Sequence, residues 1–412
     1  MSLQKIVIVG AGQAGYQVAA SLRQEGFEGA ITLVGNEPGV PYQRPPLSKA
    51  YLLGKVGVAA LRFRPPEYFD EHRISRIQGS VTSLNLERRE LLLDSGDRLN
   101  YDHLVLATGA RNRVPTIPGM EVEGVFGLRS LADADSLAAR LGSAKHAVVI
   151  GAGFIGLEFA AVAAARGISV NVLELGTRPM ARAVSAITSQ VFDRAHASWG
   201  VQIHYGQSVT AIHGVEGRVD RVQLANGETL PADLVVYGIG VIPNAELASD
   251  AGLAVNNGIV VDAQLLTSNP AVSAIGDVVS FPSAWSPQPI RLESVQNAVD
   301  QAKAVAARLM GKPSSYTALP WFWTDQGELK LQIAGLSDGH DKTVVLGSLE
   351  QRQISVLCFR AGRLVAVESC NRPADHMAAR KLIARHTPLT AAEASVEGFD
   401  LKAFEASTRE TP

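Results

Sequence analysis

The chain is poor in the residues that build disulfides and metal sites. It has two cysteines among 412 residues, Cys358 and Cys370, and they do not form a CxxC pair. Its nine histidines are scattered and lack the paired spacing of metal ligands. We therefore expect no metal site. The scarcity of cysteine favours a reducing, cytoplasmic location, and no secretory pattern precedes the first apolar run.

The chain also lacks a strong charge of either sign and a clean membrane span. Its net charge is −2, which gives no support to binding of nucleic acid or of a membrane surface. The longest apolar run, Ala147–Ala165, contains Glu158 and a cluster of glycines. A strand followed by a helix explains this run better than a transmembrane segment does. We expect no nucleic-acid partner and no membrane insertion.

Two glycine motifs of the same kind are present, at Gly10–Gly15 and Gly151–Gly156. Each follows a short apolar run, Ile6–Val9 or Ala147–Ile150, and each opens a stretch with helical periodicity. This is the strand–turn–helix context of a dinucleotide site. The first glycine makes the turn, the second lets the backbone approach a pyrophosphate, and the third lets the helix pack closely. Two such motifs predict two dinucleotides and electron transfer between them. The candidate residues are Gly10, Gly12, Gly15, Gly151, Gly153 and Gly156.

A dinucleotide site also needs an acidic residue at the end of its second strand to accept a hydrogen bond from a ribose hydroxyl. After the second motif this residue is Glu174. A carboxylate there favours a free 2′-hydroxyl and repels a 2′-phosphate, which predicts NADH rather than NADPH. Arg178 and Arg182 lie nearby and weaken that preference, and a solvated glutamate is the alternative reading. After the first motif the position falls on Asn36 or Glu37, and the sequence leaves both open.

Proline- and glycine-rich segments predict that the first domain is discontinuous in sequence. Residues 113–119 are rich in proline and glycine and look like a crossing into a second domain, and Pro243 marks the return. Beyond residue 320, short alternating strands replace the earlier pattern. We expect an α/β fold with two Rossmann-like dinucleotide-binding domains plus a C-terminal α+β domain. The predicted boundaries are 1–113 and 245–319 for the first domain, 114–244 for the second and 320–412 for the third.

Two further segments carry candidate chemistry. Asp277 follows an apolar segment and precedes a helix predicted over residues 291–299, and its carboxylate suits the ribityl hydroxyls of FAD; a capping role is the alternative. The proline-rich stretch 41–49 is stiff and carries two cations. Flavin reductases that use a dithiol have a redox cysteine pair in this stretch. Here there is none, so a flavin cannot pass electrons to a disulfide at that place; a rigid surface loop is the alternative.

An acidic residue and an aromatic cluster complete the candidates. Glu158 is expected in the first turn of the helix after the second motif, where the helix dipole favours a carboxylate. The alternative is an ion pair with Lys49 at the junction of flavin and nicotinamide. Trp321, Phe322 and Trp323 stand together at the start of the third domain. They are either buried core or a surface that faces the flavin or a partner.

With these pieces in place, the chain resembles the NADH-dependent ferredoxin reductases of the putidaredoxin-reductase type, which serve bacterial cytochrome P450 or dioxygenase systems. The resemblance spans nearly the whole chain, and its proline-rich and tryptophan-rich blocks are more specific than a glycine motif. Besides the two glycine motifs, the matching segments are Pro45–Lys49, Ala107–Gly109, Gly276–Asp277, Glu293–Ala298 and Pro320–Gln326.

The resemblance implies an FAD domain, an inserted NAD domain and a C-terminal domain against the flavin. It implies hydride transfer from NADH to FAD and then single-electron transfers to a small [2Fe–2S] ferredoxin. Lys49 and Glu158 would sit beside the flavin as the catalytic pair. Asn36 stands where relatives often have aspartate. The other cofactor-binding positions that it implies are Ala14, Arg44, Pro46, Val81, Ala107, Thr108, Gly109, Arg129, Val295, Trp323, Ile155, Arg182 and Gly240.

Two alternatives remain at this point. One is a reductase for rubredoxin or another small acceptor. The other is a flavin-bound redox sensor or interaction protein like apoptosis-inducing factor. For the main reading we expect a monomer or weak dimer and an acidic ferredoxin as partner. Because the chain is nearly neutral overall, attraction must come from a local patch, for which Arg62, Arg64 and Lys303 are candidates.

Overall fold

The computed structural model describes residues 3–312 and 315–408. The strands in chain order are β1 Lys5–Val9, β2 Ala30–Gly35, β3 Ile74–Gln78, β4 Val81–Asn85, β5 Glu90–Leu93, β6 Arg98–Asn100, β7 His103–Leu106, β8 Ala110–Asn112, β9 Val125–Gly127, β10 His146–Ile150, β11 Ser169–Glu174, β12 Gln202–Tyr205, β13 Val209–Val215, β14 Arg218–Leu224, β15 Thr229–Pro231, β16 Leu234–Tyr237, β17 Val241–Pro243, β18 Ile259–Val260, β19 Val272–Ala274, β20 Val279–Ser280, β21 Trp321–Gln326, β22 Leu329–Gly335, β23 Lys342–Ser348, β24 Gln353–Arg360 and β25 Arg363–Cys370.

The α-helices in chain order are α1 Gln13–Gln24, α2 Val58–Leu61, α3 Pro66–Glu71, α4 Leu131–Leu141, α5 Phe154–Ala165, α6 Ala186–Ser198, α7 Glu246–Asp250, α8 Val295–Leu309, α9 Pro373–Ala384, α10 Ala391–Ala394 and α11 Leu401–Ser407. Two short 3-10 helices cover Pro45–Ser48 and Gly276–Val278.

The chain divides into two compact units, which are described separately. The first unit comprises Met1–Gln43, Val58–Arg111 and Val241–Pro320. The second unit comprises Arg44–Gly57, Asn112–Gly240 and Trp321–Pro412. The division of the chain into three domains stays a prediction.

The first unit is built on a five-stranded parallel sheet in the order β19-β7-β1-β2-β3. Its central strand β1 is apolar because both faces are covered: Val7 and Ile8, which point to opposite faces, are 2% and 0% exposed. The chain runs from β1 through α1 to β2 on one side, whereas β7 and β19 lie on the other. The turn after β1 therefore lies at the switch point of the sheet, where α/β proteins bind ligands.

One helix boundary in this unit differs from the prediction. The helix expected over residues 291–299 begins at Val295 and runs to Leu309. Ser294 precedes it in an extended conformation and accepts a hydrogen bond from the backbone N–H of Asn297 at 3.1 Å. This N-cap fixes the start of α8, so residues 291–294 form the approach to the helix rather than its first turn.

The second unit contains a parallel sheet of the same design, in the order β12-β11-β10-β16-β9. The apolar run Ala147–Ala165 is divided between β10 and α5, and no helix within the described residues is long and apolar enough to span a bilayer. Helices α4 and α6 were not predicted. Both begin after a serine N-cap, Ser130 for α4 and Ser185 for α6, and Asp133 completes a capping box in α4. These residues are sequence signals for a helix start, so both helices could have been predicted.

The second unit also contains an antiparallel sheet in the order β21-β22-β25-β24-β23. Helix α9 packs on β25 and β22. The short alternating strands predicted beyond residue 320 are found here, and a turn at Ala361–Gly362 joins β24 and β25. The first strand, β21, carries the aromatic cluster and was not predicted as a strand.

Candidate functional site

The first glycine turn can be formed by glycine alone at two of its three positions. Gly10 has φ +108°, and a Cβ there would lie 2.1 Å from the carbonyl oxygen of Ala107. A Cβ on Gly15 would lie 1.8 Å from the carbonyl oxygen of Gly10. Gly12 is different, because a Cβ there would meet no described atom within 4 Å. The space above Gly12 is open, which fits a bound pyrophosphate.

The start of α1 supports the same fit. Within the described residues, no side chain makes a capping hydrogen bond at Gly12, the N-cap of α1. The first N–H groups of the helix therefore point, with the positive end of its dipole, toward the open side of the turn. Ala14 lies in this first turn and is 3.0 Å from where a Cβ of Gly276 would stand. The residues present fit the pyrophosphate of a dinucleotide.

The segment after β7 is locked in place by a residue that the sequence analysis missed. The hydroxyl of Thr108 donates to the carbonyl oxygen of Asn244 at 2.7 Å, and the Asn244 amide donates to the carbonyl oxygen of Thr108 at 2.9 Å. The backbone N–H of Asn244 also donates to Gly109 at 2.9 Å. These hydrogen bonds hold Ala107–Gly109 in a fixed position next to Gly10.

Asp277 lies in the 3-10 turn that meets the start of α1. The backbone N–H of Gly276 donates at 2.7 Å to the side-chain oxygen of Gln301, a fully buried residue of α8. Ile275 precedes this turn and Asp277 lies within it, and the choice between a ribityl contact and a capping role for Asp277 stays open. The turn also packs on α8, of which Val295 is the first residue. The turn that contains Asp277 is therefore brought to the first glycine turn, and Val295 begins the helix on which this turn packs.

The end of β2 carries the two candidates for the ribose of the first nucleotide. Asn36 is exposed, whereas Glu37 is partly buried and accepts a hydrogen bond from the Tyr42 hydroxyl. Val81 comes shortly after β3, which pairs with β2 up to Gly35. All three candidates lie at the same edge of the sheet, and the choice between Asn36 and Glu37 stays a prediction.

The second glycine turn repeats the geometry of the first. A Cβ on Gly151 would lie 2.7 Å from the carbonyl oxygen of Gly238, and one on Gly156 would lie 2.3 Å from that of Gly151. For Gly153 the nearest atom would be the Gly238 oxygen at 3.5 Å, an ordinary contact. Ile155 follows in the first turn of α5. The backbone is therefore open at the middle glycine here too, as a second dinucleotide requires.

Glu174 holds the second turn from the side. One carboxylate oxygen accepts from the backbone N–H of Ala152 at 2.8 Å and the other from that of Gly176 at 2.7 Å. Because each carboxylate oxygen can accept a second bond, capacity for ribose hydroxyls remains. Glu174 thus fixes the glycine turn in addition to its predicted role, a function that the sequence did not reveal.

The two arginines near Glu174 are placed differently. Arg178 donates to the carbonyl oxygen of Val184 at 2.8 Å and to the hydroxyl of Ser189 at 2.6 Å, so its guanidinium is engaged in its own loop. A terminal nitrogen of Arg182 would lie 3.5 Å from a Cβ on Gly240. The structure therefore brings Arg182 and Gly240 together, as the predicted nucleotide-binding set requires.

The ion pair predicted between Lys49 and Glu158 is present. Lys49 Nζ lies 2.7 Å from Glu158 Oε2, with the lysine side chain 19% exposed and the glutamate 5%. Ser48 donates its hydroxyl to the same oxygen, and Thr324 Oγ1 donates to Oε1 at 2.6 Å. Lys49 also donates to the carbonyl oxygen of Pro45 at 3.0 Å. Ser48 and Thr324 were missed by the sequence analysis because the folded chain alone brings them to Glu158.

The sequence argument for Glu158 itself was wrong. Helix α5 begins at Phe154, and its first turn contains no acidic residue. Glu158 therefore lies one turn further in, beyond the strong field of the helix N-terminus. Its burial is compensated by Lys49, Ser48 and Thr324 rather than by the dipole.

Four other predicted residues, Arg44, Arg129, Pro46 and Trp323, lie in the second unit. Arg44 donates to the carbonyl oxygen of Arg129 at 2.8 Å, so these two candidates meet. Pro46 lies in the 3-10 helix that precedes Lys49. Trp323 is half-buried, and its ring centroid is 5.5 Å from that of Trp321. The aromatic cluster is therefore not a fully buried core.

Among the described residues, the cysteines and the acidic side chains form no redox or metal site. Cys358 and Cys370 are buried free thiols, and burial raises the pKa of Cys370 to about 12. Across residues 3–312 and 315–408, no group of histidine, cysteine, aspartate and glutamate could hold a metal ion. What the described residues do offer is two open pyrophosphate turns and a partly exposed ammonium held by a buried carboxylate.

Comparison with known proteins agrees with this arrangement. Residues 4–302 match the pyridine nucleotide-disulphide oxidoreductase family, and residues 321–405 match the reductase C-terminal family. Rhodocoxin reductase from Rhodococcus erythropolis is 49% identical over 98% of this chain and 95% of its own. A crystal structure of a ferredoxin reductase from Rhodopseudomonas palustris, 49% identical, superposes with a TM-score of 0.95 over 98% of this chain and 100% of the other.

A second solved structure is that of a covalent putidaredoxin reductase–putidaredoxin complex. Its matching chain is 38% identical and superposes with a TM-score of 0.96 over 100% of both chains. These matches confirm the predicted fold class, two dinucleotide-binding α/β parts followed by a C-terminal α+β part. The chain belongs to the pyridine nucleotide-disulphide oxidoreductase family.

Proposed function

We propose that this protein is an FAD-containing NADH:ferredoxin oxidoreductase that supplies electrons to a small [2Fe–2S] ferredoxin of a cytochrome P450 or dioxygenase system. The observation that carries the proposal is the repetition of one open glycine turn, at Gly12 and at Gly153, in a chain 49% identical to rhodocoxin reductase. One turn accepts each dinucleotide. When bound, FAD accepts a hydride and releases electrons singly, which connects a two-electron donor to a one-electron acceptor.

The first glycine turn binds FAD in this proposal. Its open backbone at Gly12 and the uncapped start of α1 receive the pyrophosphate. Asp277 accepts from the ribityl hydroxyls, since its turn abuts the start of α1. Asn36 or Glu37 contacts the adenosine ribose. The remaining FAD contacts proposed are Ala14, Arg44, Pro46, Val81, Ala107, Thr108, Gly109, Arg129, Val295 and Trp323.

The second glycine turn binds NADH. Glu174 uses its free lone pairs to accept from the adenosine ribose hydroxyls, and its charge disfavours a 2′-phosphate. Arg178 does not offset this charge at the nucleotide, because its guanidinium is bound within its own loop. Ile155, Arg182 and Gly240 line the remainder of this site in the proposal.

Lys49 and Glu158 act as the catalytic pair. The Lys49 ammonium is partly exposed, whereas its carboxylate partner is buried. Such a pair presents a positive charge at a fixed place without leaving a buried charge uncompensated. In the proposal it lies at the reactive edge of the flavin, where it stabilises negative charge and orients the nicotinamide.

The domain assignment follows from these sites. We assign residues 1–113 and 245–319 to FAD binding, residues 114–244 to NADH binding and residues 320–412 to a C-terminal domain. We place the protein in the cytoplasm, which is supported by its two buried cysteines being free thiols.

The decisive experiment compares electron acceptors. The purified protein should be yellow with one FAD per chain, and NADH should reduce it much faster than NADPH. Steady-state turnover is then measured with a [2Fe–2S] ferredoxin and with a rubredoxin. Faster turnover with ferredoxin supports the proposal. Preference for rubredoxin favours a rubredoxin reductase, and slow turnover with every acceptor favours a redox sensor.

A further inference from the structure

The carboxylate of Glu158 accepts a hydrogen bond from a residue outside the proposed catalytic pair. The donor belongs to the antiparallel sheet formed by β21–β25, called the C-terminal sheet below. Thr324 lies in β21 and is fully buried, and its Oγ1 donates to Glu158 Oε1 at 2.6 Å. The other carboxylate oxygen is taken by Lys49 and Ser48. The two oxygens of Glu158 therefore have distinct partners, and Thr324 determines which oxygen remains for Lys49.

Thr324 accepts a hydrogen bond from a second buried side chain, that of Gln326. Gln326 is two residues along β21, so it shares a face of the strand with Thr324. Its amide nitrogen lies 3.4 Å from Thr324 Oγ1, and its amide oxygen pairs with His196 Nε2 at 2.8 Å. Gln326 and His196 are both buried. A polar chain thus runs from α6 through β21 to Glu158.

The hydrogen bonds in this series all run in one direction, from His196 toward Glu158. Burial lowers the pKa of His196 to about 4, so the imidazole is neutral at pH 7. Because its Nε2 faces an amide oxygen, we place the proton of His196 on Nε2. Gln326 then donates to Thr324, and the Thr324 hydrogen is left for Glu158. Each link orients the next, and the series ends on the carboxylate.

We propose that Thr324 is a positioning residue for the Lys49–Glu158 pair, oriented by Gln326 and His196, and that the C-terminal sheet through it determines where the Lys49 ammonium lies. The inference rests on the proposed placement of that ammonium at the flavin. Without the Thr324 hydroxyl, Glu158 Oε1 loses its donor in a buried position. The carboxylate then turns toward other donors, and the Lys49 side chain follows because its partner has moved.

The test uses the FAD-loaded protein and four variants. Thr324→Val removes the hydroxyl at nearly constant shape, and Thr324→Ser keeps it. Ser355→Ala is the matched control, because Ser355 is also fully buried in the same sheet and donates to a buried carboxylate, that of Asp375, at 2.7 Å. Gln326→Met is the milder change, which removes the orienting donor and leaves Thr324 in place.

We expect Thr324→Val to slow reduction of the flavin by NADH about tenfold, with the KM for NADH nearly unchanged. The flavin midpoint potential should shift to more negative values, because a displaced ammonium stabilises the reduced flavin less. Thr324→Ser should restore both quantities, and Gln326→Met should shift both in the same direction by less. Ser355→Ala should leave both unchanged. Equal effects of Thr324→Val and Ser355→Ala would overturn the inference.

Combination with Lys49→Met separates this inference from the proposed function. If Thr324 acts through Lys49, Thr324→Val adds no further change in rate or potential once Lys49 is replaced. A full additional effect in that background would refute the positioning role. If Lys49→Met alone leaves rate and potential unchanged, the placement of the pair at the flavin fails, and the inference fails with it. If Lys49→Met has its effect but Thr324→Val has none, the inference alone fails. Should Thr324→Val not fold, Gln326→Met decides on the same two measurements.

Discussion

The two glycine turns differ less in their own geometry than in what holds them. In both, a Cβ on either flanking glycine would clash with a backbone oxygen. A Cβ on the middle glycine would meet nothing within 4 Å at Gly12 and only an ordinary contact, at 3.5 Å, at Gly153. The second turn is also tied by Glu174, which bonds to Ala152 within the turn. At the end of β2 in the first unit, Glu37 accepts a hydrogen bond from the Tyr42 hydroxyl. In our proposal each turn receives a pyrophosphate, and the residues around it determine which dinucleotide binds there.

The largest expected effects come from introducing a side chain into each glycine turn separately. Gly15→Ala and Gly156→Ala would place a Cβ 1.8 Å and 2.3 Å from a backbone oxygen, so the helix start must move. We expect Gly15→Ala to purify without FAD. We expect Gly156→Ala to stay yellow but to lose about 100-fold or more in the rate of flavin reduction by NADH. Bound FAD is measured by absorbance and reduction by stopped flow.

The control for both is Gly142→Ala, because a Cβ at that position would meet nothing within 4 Å. It should retain FAD and full reduction. If Gly156→Ala lost FAD as completely as Gly15→Ala, the assignment of one nucleotide to each turn would be wrong.

The next largest effect concerns the pair of Lys49 and Glu158, which we propose to act at the flavin. Lys49→Met removes the ammonium and keeps the length of the side chain. We expect FAD to stay bound and hydride transfer to slow by about 10- to 100-fold, since a preorganised charge at the reacting atoms is lost. Stopped-flow reduction by NADH measures this. Lys55→Met, which changes an exposed lysine of the same segment, should have no effect. Unchanged reduction in Lys49→Met would make the pair structural.

Glu174 gives a smaller effect and sharpens the comparison. Glu174→Gln keeps the shape but removes the charge and places an amide N–H against a backbone donor. We expect kcat/KM for NADH to fall about tenfold while that for NADPH changes much less, so the preference erodes. The exposed Glu350→Gln is the control. Equal kcat/KM values for NADH and NADPH in the unaltered protein would contradict the role of Glu174.

How much could be predicted from sequence varies with the range of the interaction. The βαβ patterns and glycine turns were predictable because neighbouring residues determine them: Ile6–Val9 and Ala147–Ile150 lie within β1 and β10. The pair of Lys49 and Glu158 was only one of two alternatives for Glu158, and its place beside the flavin was implied by the family resemblance, since no local rule joins residues so far apart. The starts of α4 and α6 were missed although Ser130 and Ser185 mark them.

The supports of the site could not be predicted, because each joins distant segments. Thr324 is 166 residues from Glu158, and Asn244 is 136 from Thr108. Such polar contacts leave no periodic trace in the sequence. The position of Glu158 was misjudged because the helix start was placed too late: Gly153, the middle glycine, is the N-cap of α5. A one-turn error of this kind changes the physical explanation of a buried charge.

The smallest expected effect concerns the surface proposed to bind the ferredoxin. The test asks whether only the first unit contributes to that surface. Arg62, Arg64 and Lys303 are all exposed in that unit, and the Arg64 guanidinium lies 5.5 Å from the centre of the Tyr68 ring. A patch of this kind acts mainly on the rate of encounter with an acidic partner. Ferredoxin turnover should therefore fall several-fold as salt rises above roughly 0.1 M, where the screening length is about 10 Å. Turnover with ferricyanide should change much less.

Charge reversal then locates the patch. Lys303→Glu or Arg64→Glu should raise the KM for ferredoxin about threefold. The KM for NADH should stay unchanged, because in our proposal NADH binds at the second glycine turn. Lys145→Glu, at an exposed lysine of the second unit, is the matched control and should change neither. Ferredoxin turnover that responds to neither salt nor charge reversal would mean that docking is mainly apolar. The half-buried Trp323 and its aromatic neighbours would then be the surface to alter, because an apolar contact resists salt but not the loss of its buried area.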